Sequence, residues 1–518
     1  MKHTIDPNKI PEFVSRVTKT LEKGGFETYL VGGCVRDLLT SKEPKDWDVS
    51  TNAKPEEIQA LFEKTVYENK FGTVGVLVPH ETSDNVSRES KEPVSYETVE
   101  VTTYRKDGKY SDNRHPEEVT YSETIDEDLK RRDFTMNSIA LAIKDIGGIK
   151  DISIKDNYNG IKDINDRLIR TTGHPDERFQ EDALRMLRTV RFSAQLGFAI
   201  DGDTLASISK NADLLKNISA ERIRDEFIKI IMSKDPMLGV GLLVRLGLNK
   251  YIIPELEEGI NCEQLGEHVY DVFEHILHAL GHSANKNTPL DIRLSALFHD
   301  IGKPRTRRWD GTKAGGKGKF TFYGHEVVGA RMVSKIMERL KFPKDLSEKV
   351  VKMVRYHMFF SDPDLITLSA VRRTIVNVGR ENIWDLMQVR ECDRVGMKKK
   401  EAPLRLRKYH TMIEEALRAP TSVGMLKING DYMIKEMKMP AGRKMGWILH
   451  ALLAECLEDP SVDSGQATKN NLEYLEKRTL ELDKLPDDEL MSLGEKGKMA
   501  KEKTEEEELN EIKKKYNV

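Results

Sequence analysis

Apolar residues near the start of the chain recur at helical spacing: Ile10, Phe13, Val14, Val17 and Leu21 fall on one side of a helix predicted over 10–23, which Gly24-Gly25 ends. The pattern then shortens to that of strands. Thr28 to Val31 runs into Gly32-Gly33 and a helical VRDLLT, giving a strand, a glycine turn and a helix in succession. Two more apolar strands, 71–79 and 98–104, flank HETSDNVSRESKEPVSYE, which has no apolar period and predicts a long exposed hairpin tip. Residues 1–145 therefore predict an α/β domain, a small mixed sheet with helices.

Beyond it the periods are helical. EDALRMLRTVRFSAQL and ISAERIRDEFIKIIM lie in a block from about 163 to 260, broken at Gly197, Pro236 and Pro254. A histidine-rich helical block follows, interrupted by DGTKAGGKGKF, whose glycines and lysines predict a mobile loop. A last helical segment follows Gly424 and ends in a mixed-charge tail. The expected organisation is a head at 1–145, an all-α neck and body at 146–262, an α-helical domain at 263–400 and a helical tail at 401–518. No internal repeat is visible.

Composition narrows the function classes. A chain of 518 residues should hold about three or four domains. Its 83 Lys+Arg against 86 Asp+Glu leave a net charge of −3, so any nucleic acid must meet a local basic surface. With 38% hydrophobic residues and no apolar run near the roughly 20 needed to span a bilayer, a membrane protein is not expected. The start, MKHTIDPNKIPEF, lacks a signal-peptide core, so the cytoplasm is the expected location. Cys34, Cys262, Cys392 and Cys456 form no Cys-x-x-Cys pair, which argues against a disulfide framework or a thiolate zinc site.

The first chemical constellation is LVGGCVRDLL followed by KDWDVS. Asp46 and Asp48 sit two apart, so the period of a strand turns both carboxylates to one face. Paired hard oxygen ligands are what Mg²⁺ needs to bridge a nucleotide's phosphates. Gly32 and Gly33 before a helix would let backbone N–H groups approach triphosphate oxygens, and Arg36 would add a positive fork. Either motif alone is usually only a turn. Together, with Asp46 fourteen residues after Gly32, they point to a nucleotidyl transfer site.

These motifs resemble the class II tRNA nucleotidyltransferase and bacterial poly(A) polymerase family. The resemblance runs through VEVTTYRKDGKYSDNRHPEEVTY, EDLKRRDFTMNSIA, DNYNGIKDI and ERFQEDALRMLRTVRFSAQLGF to ISAERIRDEFIKII, about residues 25 to 232. It implies Asp46 and Asp48 as metal ligands and Glu100 as a third acidic member; read alone, Glu100 is as readily a surface strand residue. It also implies Arg132 on the triphosphate and Asn137 on the ribose, although the two could equally cap a helix and pair with Asp133.

In EDALRMLRTVR, Asp182 and Arg185 are three apart on an expected helix whose stripe Arg188 and Arg191 continue. Such a carboxylate and guanidinium can imitate a nucleobase edge, with the later arginines on phosphates; the alternative is an i, i+3 salt bridge. The family's protein template for CTP and ATP would be this pair. RKDGKYSDNRHPEE would be the family's specificity loop or a plain surface loop, and DNYNGIKDI, with Asn159 where many relatives have a second glycine, the head-to-neck hinge.

The second constellation is His275, His299-Asp300, His325, His357 and Asp393. Imidazoles and carboxylates from several helices suit a divalent transition metal that activates water against a phosphoester. His278 and His282 could substitute for His275 on their helix. The order resembles the HD phosphohydrolase domain appended to some bacterial CCA-adding enzymes, which implies phosphatase or 2′,3′-cyclic phosphodiesterase chemistry. LKINGDYMIKEMKMPAGRKMGWIL resembles the tail that follows it, a tRNA-holding region.

The expected activity is template-independent addition of CCA to tRNA from CTP and ATP. The alternatives are a poly(A) polymerase, a partial CC- or A-adding enzyme, and a nucleotide-sensing regulatory protein. The first lacks its expected long basic extensions, and the last is disfavoured by an intact Asp46-x-Asp48.

Overall fold

The computed structural model describes residues 5–67, 72–79, 95–107, 119–146, 149–264, 269–311, 319–359, 366, 368–395, 403–417, 423–457 and 471–498. It divides into two compact units, Met1–Val354 and Arg355–Val518.

The first unit opens with α1 (Glu12–Lys23), whose Val14, Val17 and Leu21 are buried as their spacing predicts. Then come β1 (Thr28–Val31), α2 (Gly33–Leu39), β2 (Asp48–Thr51) and α3 (Pro55–Leu61). The strands β3 (Thr65–Tyr67), β4 (Thr73–Pro79) and β5 (Tyr96–Thr103) follow, then the pair β6 (Arg105–Asp107) and β7 (Val119–Tyr121). After α4 (Ile125–Lys130) come β8 (Ala140–Ile146) and β9 (Ile149–Lys155). Seven strands form one mixed sheet in the order β3-β4-β5-β2-β1-β8-β9.

One face of the sheet carries the main core. Val74, Val76, Val78, Val99 and Val101 share a core with Val14, Val17 and Leu21 of α1, Val35 of α2 and Ile58 of α3. Along β5 the alternate positions Tyr96, Thr98 and Glu100 are exposed, as expected of a sheet with one solvated face. On that second face Val31, Tyr104 and Ala140 pack under Ile125 and Leu129 of α4.

Two expectations shift here. β9 pairs with β8 along its whole length, from Ala140↔Lys155 to Ile146↔Ile149, so the head sheet runs past 145. The signal was Gly147-Gly148 between two alternating runs, a hairpin cue. The polar stretch 80–94, the specificity loop at 108–118 and most of DGTKAGGKGKF, 312–318, lie outside the described residues.

Next come α5 (Gly160–Asn165), β10 (Leu168–Ile169), α6 (Pro175–Glu181), α7 (Leu184–Leu196), β11 (Ala199–Ile200), α8 (Gly202–Asn211), α9 (Ala220–Ile231) and α10 (Pro236–Arg245). Asp201 and Asp235 cap α8 and α10 by accepting from Thr204 N and Leu238 N, and Pro236 opens α10 where its missing N–H costs nothing. The histidine block supplies α11 (Val272–Asn285), α12 (Leu290–Phe298), α13 (Lys303–Thr306), the hairpin β12 (Arg308–Asp310) and β13 (Lys319–Thr321), α14 (His325–Arg339) and α15 (Lys344–Tyr356). Phe179, Val190, Phe227, Leu243, Leu280, Leu297, Val333 and Val350 belong to one core. Packing therefore joins the body to the histidine helices in one core across 262.

The second unit is helical: α16 (Leu368–Val378), α17 (Ile383–Asp393), α18 (Pro403–Leu417), α19 (Gly430–Lys435), α20 (Arg443–Leu457) and α21 (Leu472–Leu482). Ile428, Met433, Ile448, Leu452, Leu475 and Leu490 form its core. Among the described residues, no helix is long and apolar enough to cross a membrane. All four cysteines are free and buried, as expected of packing thiols.

Candidate functional site

β2 begins at Asp48, so Asp46 lies in the bend before the strand and is exposed, and the strand period does not by itself align the two carboxylates. What the sheet does align is Asp48 and Glu100. β2 and β5 run parallel with Asp48↔Glu100 in register, which puts both on one face of neighbouring strands. Burial pushes the Asp48 carboxyl up, Arg132 pulls it down and Asp46 adds a like charge.

Gly32, with φ +75, turns the chain from β1 into α2. A side-chain carbon there would stand 3.2 Å from Asp48 Oδ2 and 3.3 Å from Arg132 Nη1, so only glycine keeps the space beside the carboxylate clear. That cleared cradle, lined by hard oxygen donors, fits a divalent cation. Arg132 is held in place. Its Nη2 donates to Asp128 Oδ2 at 2.8 Å and to Ser50 Oγ at 3.2 Å. Asp128 is wholly buried and also accepts from Arg131; burial opposes its charge, but the two guanidiniums hold the carboxyl down at about 2.

The other nucleotide-site candidates form a chain of internal bonds. Arg36 Nη1 donates to Asn137 Oδ1 at 3.1 Å, Asn137 Nδ2 to Asp133 Oδ1 at 3.1 Å, and Arg188 Nε to Asp133 Oδ2 at 2.8 Å. Burial opposes charge at Asp133, yet Arg188 and Asn137 hold its carboxyl at about 2. Gly33 lies beside the Arg36 guanidinium, which also stacks 5.2 Å from the Phe192 ring of α7. The pairing of Asn137 with Asp133 is the alternative that the sequence left open.

The helix expected to carry Asp182, Arg185, Arg188 and Arg191 on one stripe is broken. α6 ends at Glu181, Asp182 is extended with φ −141 and ψ 103, and α7 begins at Leu184. Asp182 accepts from Leu184 N at 3.1 Å and pairs with Arg222 at 2.9 Å. Arg185 is buried, donating to Glu181 Oε2 at 2.6 Å and to the Arg131 carbonyl at 3.0 Å. The two side chains thus do not present a shared edge here. Arg191 is buried against Glu226, Nε to Oε2 at 3.3 Å.

The expected hinge is clamped. Asp156 accepts from Gly160 N at 2.7 Å and Ile161 N at 2.9 Å, and a side-chain carbon on Gly160 would lie 2.2 Å from the Thr135 carbonyl.

In the histidine block, α11, the end of α12 and the start of α14 bring His275, His299, Asp300 and His325 together, all buried. His275 Nε2 is 3.1 Å from His299 Nε2 and 3.4 Å from Asp300 Oδ2; His325 Nε2 is 3.3 Å from Asp300 Oδ1. The ligand atoms of His275, His299 and Asp300 lie within 4.8 Å of one another. His299 Nδ1 and His325 Nδ1 each sit 2.8 Å from a backbone carbonyl, of Ala296 and Phe322. A carbonyl only accepts, so Nδ1 carries the proton and Nε2 faces the cluster as the basic nitrogen. The His275 and His299 imidazoles with Asp300, whose other carboxylate oxygen lies 3.3 Å from His325 Nε2, fit transition-metal ligation.

His357, buried just after α15, and Asp393, the last residue of α17, belong to the second unit. His278 stacks on Tyr270 with ring centres 4.1 Å apart, and so serves packing instead of replacing His275.

Sequence reading missed three polar residues. Asp128 anchors Arg132. Lys303 Nζ donates to Asp300 Oδ2 at 2.6 Å and to Gln264 Oε1 at 2.6 Å. Burial would raise the Asp300 carboxyl, but Lys303 and His299 hold it well below the usual range. The signal for Lys303 was its place one turn after the His-Asp pair.

A parallel sheet register, a glycine cradle and a histidine-aspartate cluster suit a nucleotidyltransferase head and a helical domain able to hold a metal. Comparison with known proteins agrees. Residues 28–170 match the poly A polymerase head domain, 197–260 the probable RNA and SrmB- binding site of polymerase A, and 265–398 the HD domain. The chain thus carries, in order, segments similar to a poly A polymerase head, its RNA-binding region and an HD domain.

It is 40% identical over 260 residues to the CCA-adding enzyme of Lactobacillus helveticus, a match over 49% of this chain and 57% of that one. With the CCA-adding enzyme of Geobacillus kaustophilus it shares 44% over 237 residues, 46% of this chain and 53% of the other. The chain thus spans little more than half the length of these relatives. The solved structure of the Bacillus stearothermophilus CCA-adding enzyme in complex with CTP is similar at a TM-score of 0.59 and 26% identity, over 91% of this chain and 98% of that one.

Proposed function

We propose that the chain completes the 3′ ends of tRNA in the cytoplasm by adding C, C and A from CTP and ATP without a nucleic-acid template. The observation that carries this reading is the Asp48↔Glu100 register beside the Gly32 cradle, taken with the CCA-adding relatives at 40% identity or more. Asp46, Asp48 and Glu100 would hold the divalent ions, and their all-oxygen donor set favours Mg²⁺. Such ions, when bound, acidify the attacking hydroxyl and neutralise pyrophosphate.

The protein's own part is positioning. Gly32 leaves room for the triphosphate beside Asp48, and Arg132, oriented by Asp128 and Ser50, offers it a fixed guanidinium. The tRNA 3′ oxygen bonds to the α-phosphorus as the bond to the β-phosphate oxygen breaks, and the hydroxyl proton leaves to solvent. For Asp182 and Arg185 to read the base, each must exchange its present partner, Arg222 or Glu181, for the nucleotide. Selection of CTP or ATP would then be coupled to a shift at the α6–α7 break.

Purified protein offered tRNAs ending before CCA, after C and after CC, each with one labelled nucleotide, tests this. Stepwise C, C, A products are expected; long A tracts from ATP alone would make it a poly(A) polymerase. The Asp300 cluster supports a second activity, metal-dependent hydrolysis of phosphate monoesters or 2′,3′-cyclic phosphates.

A further inference from the structure

The hairpin β12–β13 lies in sequence between Asp300 and His325, and its surface is unusual. Trp309 is 59% exposed and Tyr323 83%, the largest value among the exposed large hydrophobics described. Trp309 and Phe320 are cross-strand partners with ring centres 4.9 Å apart at 68°, and the Arg307 guanidinium lies 3.6 Å over the Phe320 ring. Arg307 Nε is buried without a hydrogen-bond partner. Among the described residues, neither Arg307 nor the exposed Arg308 has an ion-pair partner.

This surface joins the metal-capable cluster directly. Phe322, next along the chain after the hairpin, offers its carbonyl to His325 Nδ1 at 2.8 Å and its ring to Lys303 Nζ at 5.7 Å. Lys303 and His325 both reach Asp300. Tyr323 stands two residues from His325.

Exposed rings beside uncompensated guanidiniums are the equipment for single-stranded nucleic acid: bases stack on the rings and phosphates meet the arginines. A peptide partner would use the rings but would leave the two positive charges without a purpose. From this geometry we infer that the exposed rings of Trp309 and Tyr323, with Arg308 and the stacked Arg307–Phe320 pair, form a platform that holds the single-stranded 3′ end of an RNA beside the histidine-aspartate cluster. The phosphate already proposed as the cluster's substrate would then be presented to it on an RNA strand. The inference rests on the hydrolytic reading of the cluster, but the platform can be tested apart from it.

The test uses the full chain and a single-stranded RNA octamer ending in a 2′,3′-cyclic phosphate. Ultraviolet crosslinks are mapped by mass spectrometry, and hydrolysis kinetics are compared with those on a cyclic mononucleotide. Crosslinks at Trp309 and Tyr323 are expected. Trp309→Ala with Tyr323→Ala should raise KM for the octamer about tenfold or more with kcat retained, and Trp309→Phe with Tyr323→Phe should restore it. Crosslinks only elsewhere, an unchanged octamer KM, or an equal KM change for the mononucleotide would overturn the platform. If no cyclic phosphate is hydrolysed by the wild type, the hydrolytic reading falls, and the crosslinks alone still decide the platform.

Discussion

The two metal-capable regions of this chain are built on opposite plans. In the head, Asp46 and Glu100 are exposed and Asp48 only partly covered, on a sheet face that solvent reaches. In the helical domain, His275, His299, Asp300 and His325 are all buried, with His299 and His325 oriented by backbone carbonyls and the carboxylate held ionised by Lys303. On the proposed reading, charged phosphates and an RNA end would enter and leave the head, which suits carboxylates at the surface and cations, Arg132 and Arg188, fixed by buried carboxylates. The cluster can be finished in advance, because burial strengthens each of its electrostatic contacts.

The sharpest way to break this comparison is to remove each site separately. Asp46→Ala with Asp48→Ala should lower nucleotide incorporation into tRNA by about a thousandfold or more, since the metal-held charge is worth several kcal/mol. The same variant should hydrolyse phosphoesters normally. Asp300→Asn should do the reverse, losing hydrolysis and keeping incorporation. Radiolabelled CTP addition and a cyclic-phosphate assay on both proteins check this, and loss of both activities in either variant would refute independent sites. Glu100→Gln should have a smaller effect on incorporation, about 10- to 100-fold, because the neutral amide keeps the shape and one acceptor oxygen.

Below the head's open face the expected effects pass from rate to stability. Asp128→Asn leaves two guanidiniums over a neutral buried group and should cost about 3 kcal/mol in urea unfolding at pH 7. The sign with pH follows from a folded carboxyl near 2 against an ordinary 3.8. Its stabilisation is present above 3.8 and is lost as pH falls through 3.8 towards 2, about 2 kcal/mol in all. Unfolding midpoints from pH 5 to pH 2 should fall less steeply in Asp128→Asn than in the parent chain.

Much of this was legible in advance, and the residues that were not share a reason. Apolar periods marked α1, β1, β4 and β5 to within two or three residues, since burial on one face dictates them. Glycine before a helix and a His-Asp pair marked the two candidate sites for the same reason: the chemistry restricts those positions to few residue types. Hydrogen-bond partners carry no such restriction. Nothing in EDALRMLRTVR says that Asp182 leaves the helix for Arg222, forty residues on, because capping is a local choice settled by tertiary contacts. Asp128 and Gln264 were equally silent, since a supporting acid or amide looks like any surface residue until its partners are known.

The smallest effect separates the head from the body by the segment between them. Asn159 adopts φ +59, a conformation glycine takes freely and asparagine tolerates. Asn159→Gly should relieve little strain and loosen the unfolded chain a little more, so the two changes offset to within about 0.5 kcal/mol. If 156–164 were the hinge that the sequence suggests, the glycine would change the rate of incorporation while hydrolysis at the cluster stayed constant. The clamp by Asp156 and the packing of Gly160 on Thr135 lead to the other expectation, unchanged kcat for both reactions. A selective rise or fall in incorporation would restore the hinge and would show that the open site depends on head motion in a way the buried cluster does not.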